Sequence, residues 1–220
     1  MHFFNASYSA KYKVAVTFSY LFIILAKILV GIDYEVIGLE KLPKGKKPYL
    51  VLSNHQSFWE NFFMQLIIPE HSWVLKKELF DMPIFGWGLK MISPIAIDRV
   101  SRHSAIQIIN QGLKKIEQGL SIVMFPEGGT VRIDRSVKFK PIGAKLAIDA
   151  NVPIVLIALN SGVFWPKGFW FRKAGKISVK ILEVIPVEHY AQYDVRTLTD
   201  YIEERINKEK EILVKQVEKI

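Results

Sequence analysis

From Asp33 onward the chain alternates short apolar runs with stretches of helical periodicity, and this alternation restricts the fold more than any other feature. Residues 34–38 and 49–52 read as strands on either side of the turn-rich KLPKGKKP, and 58–67 as a helix. Short strands follow at 73–75 and 95–97. Residues 104–118 form a helical pattern with an apolar stripe of Ala105, Ile108, Ile109, Leu113 and Ile116. A buried-type strand at 121–125, a short helix at 143–150 and a second buried-type strand at 153–159 come next. Residues 177–181 alternate as an edge or half-buried strand. The charged stretch 195–220 is a surface helix turning Leu198, Ile202, Ile206, Leu213 and Val217 inward. Strands alternating with helices in one 220-residue chain predict a single α/β domain. Its central sheet is mixed, largely parallel and flanked by helices.

The segment before it is different. Residues 14–32, VAVTFSYLFIILAKILVGI, carry one charge, Lys27, and at ~1.5 Å per residue are just long enough to cross a bilayer. Lys13, Thr17, Tyr20, Lys27 and Gly31 fall on one helical face, however, with Ile24 the one apolar residue in that row. A one-sided polar stripe suits a helix lying in the membrane interface, or one packing that stripe on its own protein, better than a spanning helix. No small-x-small cleavage site follows, which argues against a signal peptide. The chain thus divides into an N-terminal membrane-associating helix, 1–32, and a domain, 33–220, that ends in the terminal helix.

Composition narrows the chemistry. No cysteine is present, which excludes disulfides, a thiol nucleophile and cysteine-bound metal. His2, His71, His103 and His189 have no metal-ligand spacing and no His-Glu-x-x-His occurs, so no metal is expected. A formal charge of +9 points to an anionic partner, but the lysines make no nucleic-acid recognition element, and no nucleic-acid partner is expected. Neither a Walker A sequence nor a Gly-x-Ser-x-Gly elbow is present.

Two loops stand out. His55 follows the strand at 49–52, at a carboxyl end where open α/β sheets bind ligands, and imidazole suits general-base work near neutrality. Glu60, five residues on, can orient it, giving two members of a triad with a substrate hydroxyl as the third. Spacing alone favours a plainer reading: Ser57-Phe58-Trp59-Glu60 is a helix capping box, and His55 a hydrogen-bonded structural histidine. The second loop is Phe125-Pro126-Glu127-Gly128-Gly129-Thr130, where a buried strand ends in a carboxylate and two glycines that allow close backbone approach. Arg99, after the strand at 95–97, can fork two bonds to a phosphate or pair with Asp98, and Lys138 and Lys140 add charge. The aromatic groups Phe58-Trp59, Phe62-Phe63, Phe164-Trp165 and Phe169-Trp170-Phe171 suit either core packing or an acyl groove.

Taken in order, these blocks resemble the lysophospholipid acyltransferase family, specifically the bacterial 1-acylglycerol-3-phosphate acyltransferases. His55 to Glu60 is similar to the family's His-x4-Asp motif in its His-x4-Glu form. Lys76-Lys77-Glu78-Leu79, Pro83-Ile84-Phe85-Gly86-Trp87-Gly88 and Ile95-Ala96-Ile97-Asp98-Arg99 resemble the second block. Phe125-Pro126-Glu127-Gly128 resembles the third. Val152-Pro153-Ile154-Val155, followed by Asn160-Ser161-Gly162 and Phe164-Trp165-Pro166, resembles the fourth. The resemblance implies transfer of a fatty acyl group from an acyl carrier protein or coenzyme A thioester to the 2-hydroxyl of lysophosphatidic acid, without bound cofactor or metal. It implies His55 as general base, Glu60 as its orienting group, Arg99 on the acceptor phosphate, and Glu127 and Gly128 shaping the acceptor site. It further implies a location on the cytoplasmic face of the inner (plasma) membrane, and leaves the oligomeric state open. Two positions depart from the pattern. Gly129-Thr130 stand where the family has Thr-Arg, so Arg132 or Arg135 must replace the missing phosphate-directed arginine, with Lys138 nearby; otherwise the acceptor is another lysolipid, or the chain binds lipid without catalysis. Leu156 replaces a proline, a change expected to be local because leucine suits a buried strand.

Overall fold

The computed structural model describes residues 7–82, 85–98, 103–168 and 172–218. Its seven-stranded sheet has the order β1-β7-β6-β2-β5-β3-β4. The strands are β1 (Ile32–Ile37), β2 (Leu50–Ser53), β3 (His71–Lys76), β4 (Ile95–Ile97), β5 (Ser121–Met124), β6 (Ile154–Leu159) and β7 (Gly175–Ile185). The helices are α1 (Tyr8–Leu25), α2 (Trp59–Ile67), α3 (Phe85–Met91), α4 (Ser104–Glu117), α5 (Ile142–Ala150), α6 (Val187–Tyr190) and α7 (Val195–Glu218). β4, β3, β5, β2 and β6 run parallel. β7 is antiparallel to β6, and β1 is parallel to β7. The mixed, largely parallel sheet expected from the sequence is therefore present.

Alternation along the central strands feeds two cores. Val51, Val123, Val155 and Ile157 face one side, where Trp59, Phe63 and Met64 of α2 and Tyr12 and Ile23 of α1 cover them. Leu50, Leu52, Ile122, Met124, Ile154 and Leu156 face the other, under α4, α5 and α7. Leu198, Ile202, Ile206 and Leu213 of α7 are buried as expected. In α4 the stripe is carried by Ile108, with Ile109, Leu113 and Ile116 partly buried; Ala105 is exposed, and Gly112 instead lies against Leu146. Leu156 is fully buried, next to a register shift between β6 and β7.

Two expectations are corrected. The strand at 177–181 is not an edge: it extends to β7, which lies between β6 and β1. The alternation of Ile177, Val179 and Ile181 is the same whether or not a further strand flanks them, so the pattern could not reveal β1 there. Second, the polar stripe of α1 does not pack on the protein, since Lys13, Thr17, Tyr20 and Lys27 are all exposed. The face that docks carries Tyr8, Tyr12, Ser19, Phe22, Ile23 and Ala26. It is pinned by Tyr8 Oη donating to the His71 carbonyl (2.8 Å) and by Tyr12 Oη at 2.8 Å from His71 Nδ1. Burial holds His71 at about 4, hence neutral.

A third face of α1 is apolar and solvent-exposed: Val14, Phe18, Leu21, Leu25 and, in the π turn Ala26–Val30 that continues the helix, Ile28 and Leu29. The stretch Tyr8–Val30 is long and apolar enough to cross a membrane. The molecule therefore carries a membrane-associating face beside its domain.

Candidate active site

Three adjacent central strands, β5, β2 and β6, end side by side, and the loops leaving their carboxyl ends converge. After β2, Asn54 is fully buried. Its amide donates to the Leu159 carbonyl (2.9 Å) and its Oδ1 accepts from Leu159 N–H (3.0 Å), so the side chain acts as one more rung between β2 and β6. Gln56 Oε1 accepts from Gly162 N–H at 3.2 Å. Between these anchors His55 has both backbone groups engaged: its N–H donates to Glu127 Oε2 (2.9 Å), and its carbonyl accepts from Val131 N–H (2.7 Å). Its ring stacks on Phe125, with centroids 4.0 Å apart and planes 8° from parallel, and its side chain is 13% exposed. The imidazole is thus fixed in position and partly exposed.

Glu60, in the first turn of α2, is completely buried. Oε2 accepts from His55 Nδ1 at 2.7 Å. Oε1 accepts from Gln56 N–H (2.8 Å) and Ser57 N–H (2.9 Å), and Ser161 Oγ, after β6, also donates to it. Ser57 Oγ accepts from Trp59 N–H at 3.1 Å. α2 begins at Trp59 with Phe58 as its N-cap and no side-chain cap, so Glu60 does not form the expected capping box: one oxygen ties down the loop amides of Gln56 and Ser57 and the other holds the imidazole. With its proton on Nδ1, the ring presents Nε2 as an acceptor, a tautomer assigned from the hydrogen bonds. Thr130 Oγ1 lies 3.0 Å from that Nε2.

Glu127 is the second carboxyl group of the site. Burial raises it from its ordinary 4.5 to about 8; the His55 N–H opposes the rise, the negative Glu60 adds to it, and Lys210 opposes it. Gly128 has φ +78°, a left-handed conformation that favours glycine, and its Cα lies beside the flexible end of Lys140. Among the described residues no group of three His, Asp or Glu side chains is placed to hold a metal ion.

A family model described as Acyltransferase matches residues 33–160. The chain belongs to this acyltransferase family. Within it, the chain is 42% identical over 158 residues to a 1-acyl-sn-glycerol-3-phosphate acyltransferase of Pseudomonas aeruginosa, a match covering 71% of this chain and 61% of the relative. A protein of the same description from Saccharomyces cerevisiae is 30% identical over 186 residues, covering 82% of this chain and 60% of the relative. The match thus spans about 60% of the length of these curated relatives. The fold is that of the crystal structure of PlsC, the 1-acyl-sn-glycerophosphate acyltransferase from Thermotoga maritima: TM-score 0.76, covering 92% of this chain and 79% of that one at 23% identity.

In this family member, His55, Glu60, Glu127, Gly128 and Thr130 come together, with Gly129 between the last two. Arg132 does not reach His55: at the surface it makes two bonds to Asp134, at 3.0 and 3.1 Å. Lys138 pairs with Glu203 of α7 at 3.1 Å and is largely exposed. Arg99 lies outside the described residues, as do Phe169, Trp170 and Phe171. Asn54, Gln56, Phe125 and Ser161 complete the site beyond the residues expected from the sequence. For the three polar ones the available signal is a polar residue at the end of a buried strand, because each such group needs a partner.

Proposed function

We propose that the chain transfers a fatty acyl group from an acyl carrier protein or coenzyme A thioester to the 2-hydroxyl of 1-acylglycerol-3-phosphate, giving phosphatidic acid. The observation that carries this reading is the relay from Glu60 Oε2 to a partly exposed His55, whose Nε2 faces the hydroxyl of Thr130. As the hydroxyl oxygen attacks the thioester carbonyl, Nε2 takes its proton and Glu60 stabilises the imidazolium. As the C–S bond breaks, the proton passes to sulfur, releasing the thiol. The Pseudomonas and Saccharomyces relatives are 1-acyl-sn-glycerol-3-phosphate acyltransferases, which supports the same acceptor class.

The position of the membrane-associating face supports a lipid acceptor. Phe18, on that exposed face, stands 6.0 Å from Phe62, and Phe62 stands 5.0 Å from Phe58, ring to ring; Phe58, three residues from His55, is 48% exposed. The apolar face of α1 thus continues to the mouth of the site. A helix with a docked face, a polar face and an apolar face suits an interfacial position better than a spanning one. Exposed lysines add attraction to anionic lipid of roughly 1 kcal/mol each. Soluble thioester donors place this surface on the cytoplasmic side of the inner membrane.

The test is a mass-spectrometric product survey of the purified protein offered both donors and mixed lysolipids. Phosphatidic acid is expected as the main product. Exclusive acylation of a lysolipid lacking the phosphomonoester would overturn the acceptor, and no acylated lipid from either donor would overturn the activity.

A further inference from the structure

Neutral imidazole with its proton on Nδ1 has a single acceptor atom, Nε2, with one lone pair in the ring plane. Thr130 Oγ1 stands 3.0 Å from that atom and donates to it, while Phe125 stacks on a face of the ring with centroids 4.0 Å apart. Occupation of Nε2 is exclusive: as long as the Thr130 hydroxyl is there, neither water nor an acceptor hydroxyl can give its proton to the ring. The backbone holds this contact in place. His55 N–H donates to Glu127 Oε2 at 2.9 Å and Val131 N–H donates to the His55 carbonyl at 2.7 Å, so both ends of the 127–131 loop are tied to the histidine. The part free to move is therefore the Thr130 side chain, by rotation about χ1, which β-branching confines to a few discrete positions. Water and a lysolipid differ in what they bring to that displacement. Water exchanges one hydrogen bond for another and gains no further contact. A lysolipid also brings an acyl chain, a glycerol and a phosphate, whose contacts can drive the side chain aside.

We propose that Thr130 is a specificity-determining residue: its hydroxyl holds the place of the acceptor hydroxyl at His55 Nε2, keeps water from being activated against the thioester, and swings away when the lysolipid enters. This rests on the proposed function for donor and acceptor and keeps its direct transfer. The reaction that Thr130 suppresses is hydrolysis. In it, water gives a proton to Nε2 as its oxygen bonds to the thioester carbonyl carbon. The C–S bond then breaks and the imidazolium returns the proton to sulfur, leaving a free fatty acid and a thiol. Transfer uses the same base, so removing the Thr130 hydroxyl changes the partition between the two reactions.

The experiment follows hexadecanoyl-coenzyme A, labelled in the acyl chain, with purified full-length protein, first without acceptor and then with lysophosphatidic acid. Thiol release and labelled fatty acid read hydrolysis, and labelled phosphatidic acid reads transfer. The chain has no cysteine, so the protein adds no thiol of its own. Thr130→Ala should raise the ratio of fatty acid to phosphatidic acid by about fivefold to tenfold, the occupancy that one net hydrogen bond sustains. Thr130→Ser, which restores the hydroxyl, should bring the ratio most of the way back. Partial misfolding scales both products alike and leaves the ratio unmoved. A Thr130→Ala ratio within about twofold of wild type, with transfer intact, sinks the Thr130 proposal and leaves the proposed function standing. A second measurement needs no variant. The 2-deoxy analogue of lysophosphatidic acid fills the acceptor site without supplying a hydroxyl. With wild type it should raise thioester hydrolysis severalfold above the acceptor-free rate, and far less so with Thr130→Ala. Hydrolysis by wild type that the analogue leaves unchanged or lowers overturns the proposal. Absence of both products from wild type removes the proposed function itself, and the role of Thr130 with it.

Discussion

On its Nδ1 side His55 meets a carboxylate that is fully buried and accepts four hydrogen bonds, from three loop residues and from Ser161 across the sheet. On its Nε2 side it meets one threonine hydroxyl on a partly exposed loop, and Arg132 and Lys138 pair with Asp134 and Glu203 instead of gathering at the site. The inner side is preorganised, so a change there should act on the chemical step. The outer side is where substrates exchange, so a change there should act on what is selected. This division makes the predicted effects unequal.

Glu60→Gln is the severest test of the inner side. One carboxylate oxygen becomes an NH2 facing N–H donors, either at His55 Nδ1 or at Gln56 and Ser57. Loss of the correct tautomer should lower kcat by ~10² to 10⁴-fold. A near-normal kcat would mean the residue only ties down the loop. Ser161→Ala removes one of the four donors and should cost ~1–3 kcal/mol of stability, read from denaturant midpoints. Its kcat should fall about tenfold with KM little changed, because the residue acts through Glu60. Thr in place of Ser161, which restores a hydroxyl, should recover part of the rate.

Glu127 links the two sides and gives a pH signature. Its carboxyl is raised from 4.5 to about 8 in the folded protein, so over that range the folded state holds a proton that the unfolded chain has released. The associated stability is complete below 4.5, declines as pH rises and is lost at about 8. Glu127→Gln keeps an acceptor for His55 N–H and has no charge to bury. Its melting temperature should gain on the wild type as pH rises through this window and hold a constant lead above it. A lead that does not change with pH would contradict the raised pKa. The smallest effects belong to Arg132→Ala and Lys138→Ala. Both remove exposed cations, and Glu203 keeps its bond to Phe139 N–H without Lys138, so stability should move by no more than ~0.5 kcal/mol and KM for the acceptor by less than about threefold. A large rise in KM for phosphate-bearing acceptors alone would put these residues in the acceptor site.

Local pattern carried the elements that local forces decide. The buried runs around Val51, Val123 and Val155 became the sheet centre, and the α7 stripe of Leu198 to Leu213 became its buried face. It could not show that β1 flanks β7, nor which face of α1 docks. The docked face includes Tyr8, Tyr12 and Ser19, whose hydroxyls find partners or burial only in the folded chain. The site divides the same way. His55 and Glu60 lie within one turn of chain and were readable together. Ser161 is 101 positions from Glu60, and Thr130 is 75 from His55; only the strand order that sets β5 and β6 beside β2 joins them. Thr130 stood out as a missing arginine, and the structure shows its hydroxyl against the reactive nitrogen of His55.

The central claim is that His55 Nε2 moves the proton of acyl transfer. It is tested most directly by following labelled acyl groups from both thioester donors to lysophosphatidic acid with purified wild type and His55→Ala, after circular dichroism and vesicle binding confirm that the variant keeps its fold and membrane association. The account predicts a loss of transfer of ~10³-fold or more in the variant. Transfer by folded His55→Ala within about tenfold of wild type would contradict it.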